Sequence, residues 1–298
     1  MDTDALATLS DFTVDYQPEL HGDIEGLRGA VVDADAIIVR NRTMVDVALL
    51  DRATALKAVG RLGVGLDNID MDACGQRNIA VLPATGANAL SVAEYVISAA
   101  MALMRAAFWA NEAMLAGNWP RGTLSAGGEL SGKTLGLVGF GGTAQAVAER
   151  ADSLGMSILA YDPHRPADDL AWGKVRRAAQ LGDILGVDVL SLHVPLTTET
   201  RMLIDSDALA RMKPTAILVN TARGGILDET AVVSALNAGQ LGGAALDVFE
   251  TEPLSADAAQ KFAGARNLIL TPHIAGVTAE SNVRVSAVTA DNVRRALS

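Results

Sequence analysis

Short apolar runs alternate with segments of helical periodicity along most of the chain. Such alternation is typical of βαβ units, in which right-handed helical crossovers join parallel strands. The pattern therefore predicts an α/β fold with parallel sheets. The runs expected to form strands are Ala34–Val39, Leu56–Leu62, Ile79–Pro83, Thr134–Phe140, Ser157–Tyr161, Val187–His193, Ala216–Asn220, Ala244–Phe249 and Asn267–Thr271.

The predicted strands form two groups, which suggests two domains. Three strands precede residue 84 and six follow residue 133, and a long helical pattern from Ser91 to about Ala116 separates them. The last segment, Ala279–Leu297, is helical, and no predicted strand follows it. It can therefore return to the first group. We expect a discontinuous first domain of residues 1–88 and 276–298 and a second domain of residues 89–275.

Composition and charge argue against several classes of protein, among them nucleic-acid-binding, membrane and secreted proteins. Half of the 298 residues are hydrophobic and the net charge is −11, so the chain can bury two cores but repels nucleic acid and anionic membranes. The lone cysteine, Cys74, lies outside any metal-ligand spacing, and the acidic N-terminus does not resemble a secretory signal. The apolar stretch Val92–Ala110 contains Glu94 and Arg105, which favours a buried helix over a membrane span. We expect a cytoplasmic protein without metal, nucleic-acid or membrane partners.

A glycine-rich turn follows the fourth predicted strand directly. The segment Gly139-Phe140-Gly141-Gly142-Thr143-Ala144 matches G-x-G-x-x-G/A between a strand and a helix, the context in which this pattern binds dinucleotides. Gly139 permits the tight turn and Gly141 lets a pyrophosphate approach the backbone. The helix that starts at Gly142 and Thr143 offers free N–H groups and partial positive charge to the phosphates.

The identity of the dinucleotide depends on the following strand. That strand ends at Asp162, about 20 residues beyond the glycines, where a carboxylate accepts hydrogen bonds from the adenosine ribose and repels a 2′-phosphate. We therefore predict NAD as the cofactor. The alternative is that Asp162-Pro163 only makes a turn at the strand end. Arg165 lies close by, so tolerance of NADP remains open at this point.

A base, a cation and an acid follow three later strands. His273 comes after the last strand, Arg223 follows Ala216–Asn220, and Glu252 lies just past the strand that ends near Phe249. The carboxyl ends of parallel strands hold ligands. Oxidation of a secondary alcohol needs a base for the hydroxyl proton, and histidine suits both directions of that reaction. A carboxylate can fix the tautomer of the histidine, and an arginine can clamp a substrate carboxylate.

Each of these residues, taken alone, could have a structural role as readily as a catalytic one, since strand-end histidines and Arg-Gly-Gly turns are common. Together with a dinucleotide site they favour an oxidoreductase. The combined motifs resemble the D-isomer-specific 2-hydroxyacid dehydrogenase family over nearly the whole chain. The motifs that carry the resemblance are Gly139-Phe140-Gly141, Asn220-Thr221-Ala222-Arg223-Gly224, Asp247-Val248-Phe249-Glu250-Thr251-Glu252-Pro253 and Thr271-Pro272-His273.

The resemblance implies roles for particular residues. His273 would be the acid/base, Glu252 its partner, Arg223 the substrate clamp, and Asp247 would bond the nicotinamide carboxamide. It also implies two Rossmann-like or flavodoxin-like domains, with the substrate bound by the first domain, NAD by the second, and the active site in the cleft between them. The further residues expected at the cofactor are His193, Thr221, Ala222 and Gly276.

In the first domain, Val39–Thr43 and Gly63–Asp70 resemble the substrate-side motifs of this family. By that analogy the backbone N–H groups at Val64 and Gly65 would hold the substrate carboxylate, and Arg40, with Arg42 as a further candidate, would meet a second anionic group. The remaining residues expected to serve the substrate are Asn88, at the domain crossing, and Arg121, from a partner subunit of a homodimer. For Arg42 and Arg121 a solvated surface role is an equal alternative.

Within the family, the segments Arg61–Asn68, Pro83–Asn88 and His273–Thr278 resemble the phosphoglycerate dehydrogenase and sulfolactate dehydrogenase branch. We therefore expect a D-2-hydroxy acid that carries a second anion. The alternatives are a glyoxylate or hydroxypyruvate reductase and an NAD-sensing protein that has lost catalysis. The chain departs from the family pattern because it begins within a helix, so we expect the first domain to lack the first strand of that pattern.

Overall fold

The computed structural model describes residues 1–298, and its α/β character with parallel sheets confirms the expected fold class. The ten strands are β1 (Ala36–Val39), β2 (Ala58–Arg61), β3 (Ala80–Pro83), β4 (Thr134–Val138), β5 (Ser157–Tyr161), β6 (Arg176–Arg177), β7 (Val189–Leu192), β8 (Ile217–Asn220), β9 (Gly243–Leu246) and β10 (Leu268–Leu270). The α-helices are α1 (Thr3–Ala7), α2 (Ile24–Ala30), α3 (Val47–Leu50), α4 (Met71–Gln76), α5 (Ala89–Arg105), α6 (Asn111–Leu115), α7 (Arg121–Leu124), α8 (Gly142–Ser153), α9 (Ser206–Ala210), α10 (Glu229–Asn237), α11 (Ala256–Ala259) and α12 (Ala279–Leu297).

The chain divides into two compact units. Unit 1 consists of Met1–Asn88 and Val277–Ser298, and unit 2 consists of Ala89–Gly276. The boundaries expected from the sequence differ from these only in the assignment of Gly276. Each unit has its own parallel sheet and its own hydrophobic clusters.

In unit 1, the sheet has the order β1-β2-β3 with every pair parallel. Helix α12 packs on this sheet, with Val285, Ala290 and Val293 buried on one face. Its start is fixed by a capping box, in which the Ser281 N–H donates to Thr278 Oγ1 and the Thr278 N–H donates to Ser281 Oγ. The helix has the limits that its apolar periodicity predicts.

In unit 2, seven parallel strands lie in the order β10-β9-β8-β7-β4-β5-β6. Counted from the first strand of the unit this is 3-2-1-4-5-6-7, the Rossmann arrangement with one added strand. The order reverses between β4 and β7, and ligands of such sheets bind beside the carboxyl ends of the strands at this point. The nine predicted strands are all present. The two-residue β6 was not predicted, because Arg176 and Arg177 carry no apolar signal.

The long helix of unit 2 is shorter than predicted. Helix α5 ends at Arg105 rather than near Ala116, because Ala106 adopts a left-handed conformation with φ of 51°. The chain then returns, and the Gly128 N–H donates to the carbonyl of Met104 in the last turn at 2.9 Å. A Cβ at Gly127 would lie 2.3 Å from the Arg105 carbonyl oxygen, so this return requires glycine. No helix of the protein combines the length and the apolar character that a membrane crossing needs.

The contact between α12 and β2 depends on the absence of a side chain at Gly60. A Cβ there would lie 2.6 Å from Cγ2 of Val293 and 3.0 Å from Cγ2 of Thr289. We expect Gly60→Ala to lower the free energy of unfolding by about 1–3 kcal/mol, because both neighbours are β-branched and stiff. Urea denaturation followed by circular dichroism measures this change.

Gly75→Ala is the matched control for this substitution. Gly75 lies in α4 of the same unit, and nothing lies within 4 Å of a Cβ built there. This variant should be as stable as the wild type or gain up to about 1 kcal/mol, as alanine favours helix. Equal stability of the Gly60→Ala and Gly75→Ala proteins would show that α12 does not need the close approach.

Candidate active site

Three adjacent strands of unit 2 end at the same level and deliver the polar residues singled out in the sequence. In the register of the sheet, Asn220 pairs with Leu246, and Leu246 pairs with Leu270. Arg223 follows the first of these residues, Asp247 and Glu252 follow the second, and His273 follows the third. The parallel sheet therefore brings the three loops, with these four residues, to one edge.

His273 and Glu252 form a direct pair at this edge. Glu252 Oε2 lies 2.7 Å from Nδ1 of His273, and Oε1 of the same carboxylate accepts the Phe249 N–H at 2.9 Å. A carboxylate can only accept, so Nδ1 carries the proton of the neutral ring. Nε2 is then the nitrogen with a free lone pair. The His273 side chain is 47% exposed, which leaves that nitrogen accessible to a ligand.

The backbone of His273 is left-handed, with φ of 55°, and the buried carboxylate of Asp247 supports it. Asp247 Oδ1 accepts the Ile274 N–H at 2.9 Å, and Oδ2 accepts the Ala275 N–H at 2.8 Å. The Asp247 carbonyl accepts the His273 N–H at 2.8 Å. Three consecutive N–H groups of the histidine loop thus point at one residue, which offsets the strain of the unusual φ.

Two hydroxyl groups extend this network. Thr271 Oγ1 donates to Asp247 Oδ1 at 2.6 Å, and the hydroxyl of Tyr95 lies 2.6 Å from Thr271 Oγ1. Thr271 has a single hydroxyl hydrogen, so Tyr95 is the donor in the second bond. Burial raises the pKa of Tyr95, which keeps its hydroxyl protonated for this role. The residue expected at the nicotinamide carboxamide, Asp247, therefore also anchors the loop that carries His273.

The Arg223 loop is fixed by a buried asparagine. The Asn220 side chain accepts the Ala222 N–H at 3.0 Å and donates to the Arg223 carbonyl at 2.9 Å. Arg223 Nη1 donates to the Ala222 carbonyl at 2.6 Å. A Cβ at Gly224 would lie 1.8 Å from the Phe249 carbonyl oxygen, so the Arg223 loop and the Glu252 loop touch backbone to backbone.

The glycine-rich turn lies at the point where the strand order reverses. Gly139 has φ of 86°, and a Cβ there would lie 2.6 Å from the carbonyl oxygen of His193 at the end of β7. Gly141 caps the N-terminus of α8, and a Cβ on Gly141 or Gly142 would meet nothing within 4 Å. The space over these two glycines and Thr143 is thus available to a phosphate at the helix N-terminus.

Other features of the same edge also fit a dinucleotide. Asp162 Oδ2 accepts the Phe140 N–H at 2.9 Å, and Oδ1 accepts the His164 N–H at 3.0 Å. Each oxygen retains a second lone pair for a ribose hydroxyl. The buried Oγ1 of Thr221 has no hydrogen-bond partner in the protein, as expected of a group that awaits a ligand.

His193 lies where the strand order reverses, and its imidazole is neutral. Its Nε2 lies 2.8 Å from Ser191 Oγ, and burial lowers its pKa to about 4. A neutral imidazole contributes no positive charge beside the phosphates. It can still exchange a hydrogen bond with a bound ligand.

In unit 1, an asparagine organises the loop of Arg40. The Asn68 amide donates to the carbonyls of Arg40 and Thr43 at 2.9 and 2.6 Å, and its oxygen accepts from Nε of the buried Arg61 at 3.3 Å. The Arg40 side chain is exposed and donates to Asn282 of α12 at 2.8 Å. The protein thus fixes the Arg40 backbone and leaves the guanidinium accessible.

The other residues expected to serve the substrate lie at accessible positions. Val64 is 40% exposed, and Gly65 and Asn88 are partly buried in unit 1. Arg42 is exposed beside His21 in the same unit. Arg121 is exposed at the start of α7 in unit 2.

Several residues that shape these loops were not singled out in the sequence. Asn220 could have been recognised as a polar residue at the end of an apolar strand, whereas Tyr95 lies 176 positions from its partner and gives no local signal. A buried carboxylate, Glu229, accepts the Glu250 N–H at 2.7 Å and pairs with Lys261 at 2.5 Å. Burial opposes the charge on Lys261, but the hydrogen bond and the charge of Glu229 prevail and raise its pKa. This pair steadies the start of the Glu252 loop.

Comparison with known proteins identifies the family. Residues 97–275 match the model of the D-isomer specific 2-hydroxyacid dehydrogenase, NAD binding domain. The (S)-sulfolactate dehydrogenase of Chromohalobacter salexigens is 55% identical over 299 residues, which cover 100% of this chain and 96% of that protein. The D-3-phosphoglycerate dehydrogenase of Mycobacterium bovis is 41% identical over 92% of this chain and 51% of its own length.

Solved structures agree with this assignment. A glyoxylate reductase from Paecilomyes thermophila superimposes with a TM-score of 0.86 at 30% sequence identity, over 99% of this chain and 91% of that one. The expected NAD cofactor agrees with the matched NAD-binding domain, and the strand order of unit 2 is the one that such domains have. The chain therefore belongs to the D-isomer specific 2-hydroxyacid dehydrogenases, a family of NAD-dependent oxidoreductases that act on the CH–OH group of 2-hydroxy acids.

Proposed function

We propose that the protein oxidises a D-2-hydroxy acid with a second anionic group, of the sulfolactate or 3-phosphoglycerate type, and reduces the matching 2-keto acid. The observation that carries the proposal is the 2.7 Å contact between Glu252 Oε2 and His273 Nδ1. It leaves Nε2 of an exposed histidine as an acceptor at the edge where a dinucleotide binds. This is the nitrogen that a substrate hydroxyl needs for proton transfer.

In this mechanism His273 Nε2 takes the proton of the C2 hydroxyl group. Glu252 remains on Nδ1 and stabilises the imidazolium that forms. Arg223 holds the substrate carboxylate and stabilises the negative charge that develops on the C2 oxygen during hydride transfer. NAD, held by the residues of unit 2 named below, would supply the acceptor for the hydride from C2. In the reverse direction the protonated His273 returns its proton to the C2 oxygen.

The residues of unit 2 that would hold NAD lie along the edge of the sheet. The N–H groups at Gly141, Gly142 and Thr143 would receive the pyrophosphate, and Asp162 would accept from the adenosine ribose. The residues that would surround the nicotinamide are His193, Thr221, Ala222, Asp247, His273 and Gly276. Asp247 Oδ2 accepts the Ala275 N–H, and the second lone pair of this oxygen would serve the carboxamide.

In unit 1, the N–H groups at Val64 and Gly65 would bind the substrate carboxylate and Arg40 would bind the second anion. Residues 1–88 and 277–298 would thus act as the substrate-binding domain, with Asn88 at its border. The support for Arg40 is its geometry, a fixed backbone with an exposed guanidinium, and the 55% identity to a sulfolactate dehydrogenase. Arg121 would approach the substrate of a partner subunit.

The acid/base pair is tested by Glu252→Gln. The new amide can keep the bond from the Phe249 N–H while its NH₂ group donates to Nδ1, which moves the ring proton to Nε2 and blocks the base. We expect kcat to fall by about 10²–10⁴-fold, the usual contribution of a general base, and the Kd for NADH to change little. Stopped-flow turnover and fluorescence titration measure the two quantities. His273→Ala should show the same pattern.

The matched control is Glu250→Gln, which removes a carboxylate from the same loop. Glu250 pairs with Lys261 at 3.6 Å, whereas the carboxylate that pairs with His273 is that of Glu252. Its kcat should remain within a few-fold of the wild type. Undiminished turnover by Glu252→Gln or His273→Ala would disprove the assigned pair.

The second anion is tested by Arg40→Gln with three substrates, namely (S)-sulfolactate, 3-phosphoglycerate and D-glycerate. Loss of a charge-assisted contact should lower kcat/KM for the preferred doubly anionic acid by at least about tenfold and leave D-glycerate nearly unchanged. Arg42→Gln is the control, because Arg42 is a neighbouring exposed arginine that faces His21. It should not change the ranking of the substrates.

The rival is a glyoxylate or hydroxypyruvate reductase, which the structural similarity to a glyoxylate reductase favours. That enzyme would prefer D-glycerate in the wild type and would be indifferent to Arg40→Gln. Such a result would contradict the doubly anionic substrate but leave the acid/base pair in place.

We also propose a cytoplasmic homodimer. Five large apolar side chains between residues 108 and 119 are exposed, a cluster that favours a covered surface: Phe108, Trp109, Met114, Leu115 and Trp119. The free and buried thiol of Cys74 fits a reducing compartment.

Sedimentation of the native protein from a cytosolic extract should give the mass of a dimer, and the substitution Leu115→Glu should shift the protein to the monomer. Leu170→Glu, at a residue 95% exposed elsewhere in unit 2, is the control. A wild-type monomer would contradict the dimer, and recovery outside the cytosolic fraction would contradict the location.

A further inference from the structure

The segment after β5 folds back onto the glycine-rich turn and carries an arginine with it. The rings of Phe140 and Trp172 stack with centroids 4.9 Å apart and an interplanar angle of 5°. The indole N–H of Trp172 donates to the Pro166 carbonyl at 2.8 Å, which pins the intervening loop. The Arg165 guanidinium lies 5.8 Å from the centroid of the Phe140 ring. A cation therefore sits beside the loop that receives the adenosine half of the cofactor.

An ion pair within the same loop holds the Arg165 side chain. Its Nη1 pairs with Asp169 Oδ2, its side chain is only 20% exposed, and its Nε has no hydrogen-bond partner. Asp169 is held in turn by the Ala171 N–H, which it accepts at 2.8 Å as the N-cap of a short 3₁₀ turn. The hydrogen bond from Ala171 and the charge of Arg165 outweigh desolvation and lower the pKa of Asp169. The carboxylate that holds Arg165 is thus ionised at neutral pH.

We propose that Asp169 is a cofactor-specificity residue, which excludes NADP by tying Arg165 away from the 2′-position of the adenosine ribose. Arg165 lies three residues beyond Asp162, whose carboxylate faces that ribose in the proposed binding mode. An arginine at this place is the residue that receives a 2′-phosphate in NADP enzymes of this fold. With Asp169 present, the local charge of Asp162, Arg165 and Asp169 sums to −1, which repels the phosphate. Without it the sum is zero and the guanidinium is released.

The experiment measures binding of the adenosine end alone, with 2′,5′-ADP and ADP as probes for the full-length protein in isothermal titration calorimetry. Asp169→Asn keeps an oxygen for the Ala171 N–H and removes the charge that faces Arg165. We expect its affinity for 2′,5′-ADP, relative to ADP, to rise about tenfold, equivalent to about 1.4 kcal/mol. The ratio of kcat/KM for NADP and NAD should move in the same direction. ADP affinity itself should stay within about twofold, since Asp162 and the glycine-rich turn are unchanged.

Two further variants isolate the ion pair. Asp168→Asn removes an exposed carboxylate from the neighbouring position, which has no ion pair with Arg165, so the affinity ratio should stay near the wild-type value. In the double variant Arg165→Gln with Asp169→Asn, the rise in affinity for 2′,5′-ADP relative to ADP should disappear. An unchanged ratio in Asp169→Asn, an equal gain in Asp168→Asn, or a gain that survives loss of Arg165 would each overturn the proposal.

Asp169→Ser is the control for a folding defect, because serine is also a strong N-cap residue and carries no charge. It should reproduce the gain of Asp169→Asn. Retained ADP binding in each variant shows that the dinucleotide site itself is intact. Failure of the specificity role is therefore distinguishable from failure of cofactor binding.

Discussion

The edge of unit 2 where Arg223, Glu252 and His273 meet depends on one buried carboxylate. Asp247 is 1% exposed, and it receives the N–H groups of Ile274 and Ala275 together with the hydroxyl of Thr271. A buried charge is tolerated only when hydrogen bonds satisfy it, and here the donors come from the loop that carries His273. The requirement to solvate Asp247 and the requirement to hold a histidine in a left-handed backbone are met by the same bonds. The placement of His273 thus depends on a carboxylate that binds the backbone N–H groups directly after it.

Much of this arrangement could be predicted from the sequence because it is local. The glycine-rich turn, Asp162 and the three strand-end motifs each lie within a few residues of a recognisable apolar strand. The register of a parallel sheet then brings Arg223, Glu252 and His273 to one edge without further information. The fold class followed from the alternation of strand and helix patterns for the same reason, and α12 has the predicted limits because a capping box marks its start.

The parts that could not be predicted depend on contacts between distant segments. The apolar pattern continues beyond Arg105, yet α5 stops there because Ala106 is left-handed, and the distant Gly128 N–H then caps the Met104 carbonyl. Tyr95 lies within the same apolar helix, and nothing near it in the sequence shows that its hydroxyl meets Thr271. In unit 1, the amide of Asn68 joins Arg61 to the Arg40 loop, a bridge that only the folded chain reveals. Side chains that act through other residues leave little trace in local periodicity.

The contact at Gly224 has a consequence for how the enzyme can diversify. A single methyl group there would overlap the Phe249 carbonyl, so the position admits one amino acid, and the two loops that it separates are locked in mutual distance. Any larger residue at Gly224 would have to push the Arg223 loop away from the Glu252 loop. The spacing between the guanidinium loop and the carboxylate loop is thus set by contact between two backbones and not by side-chain packing.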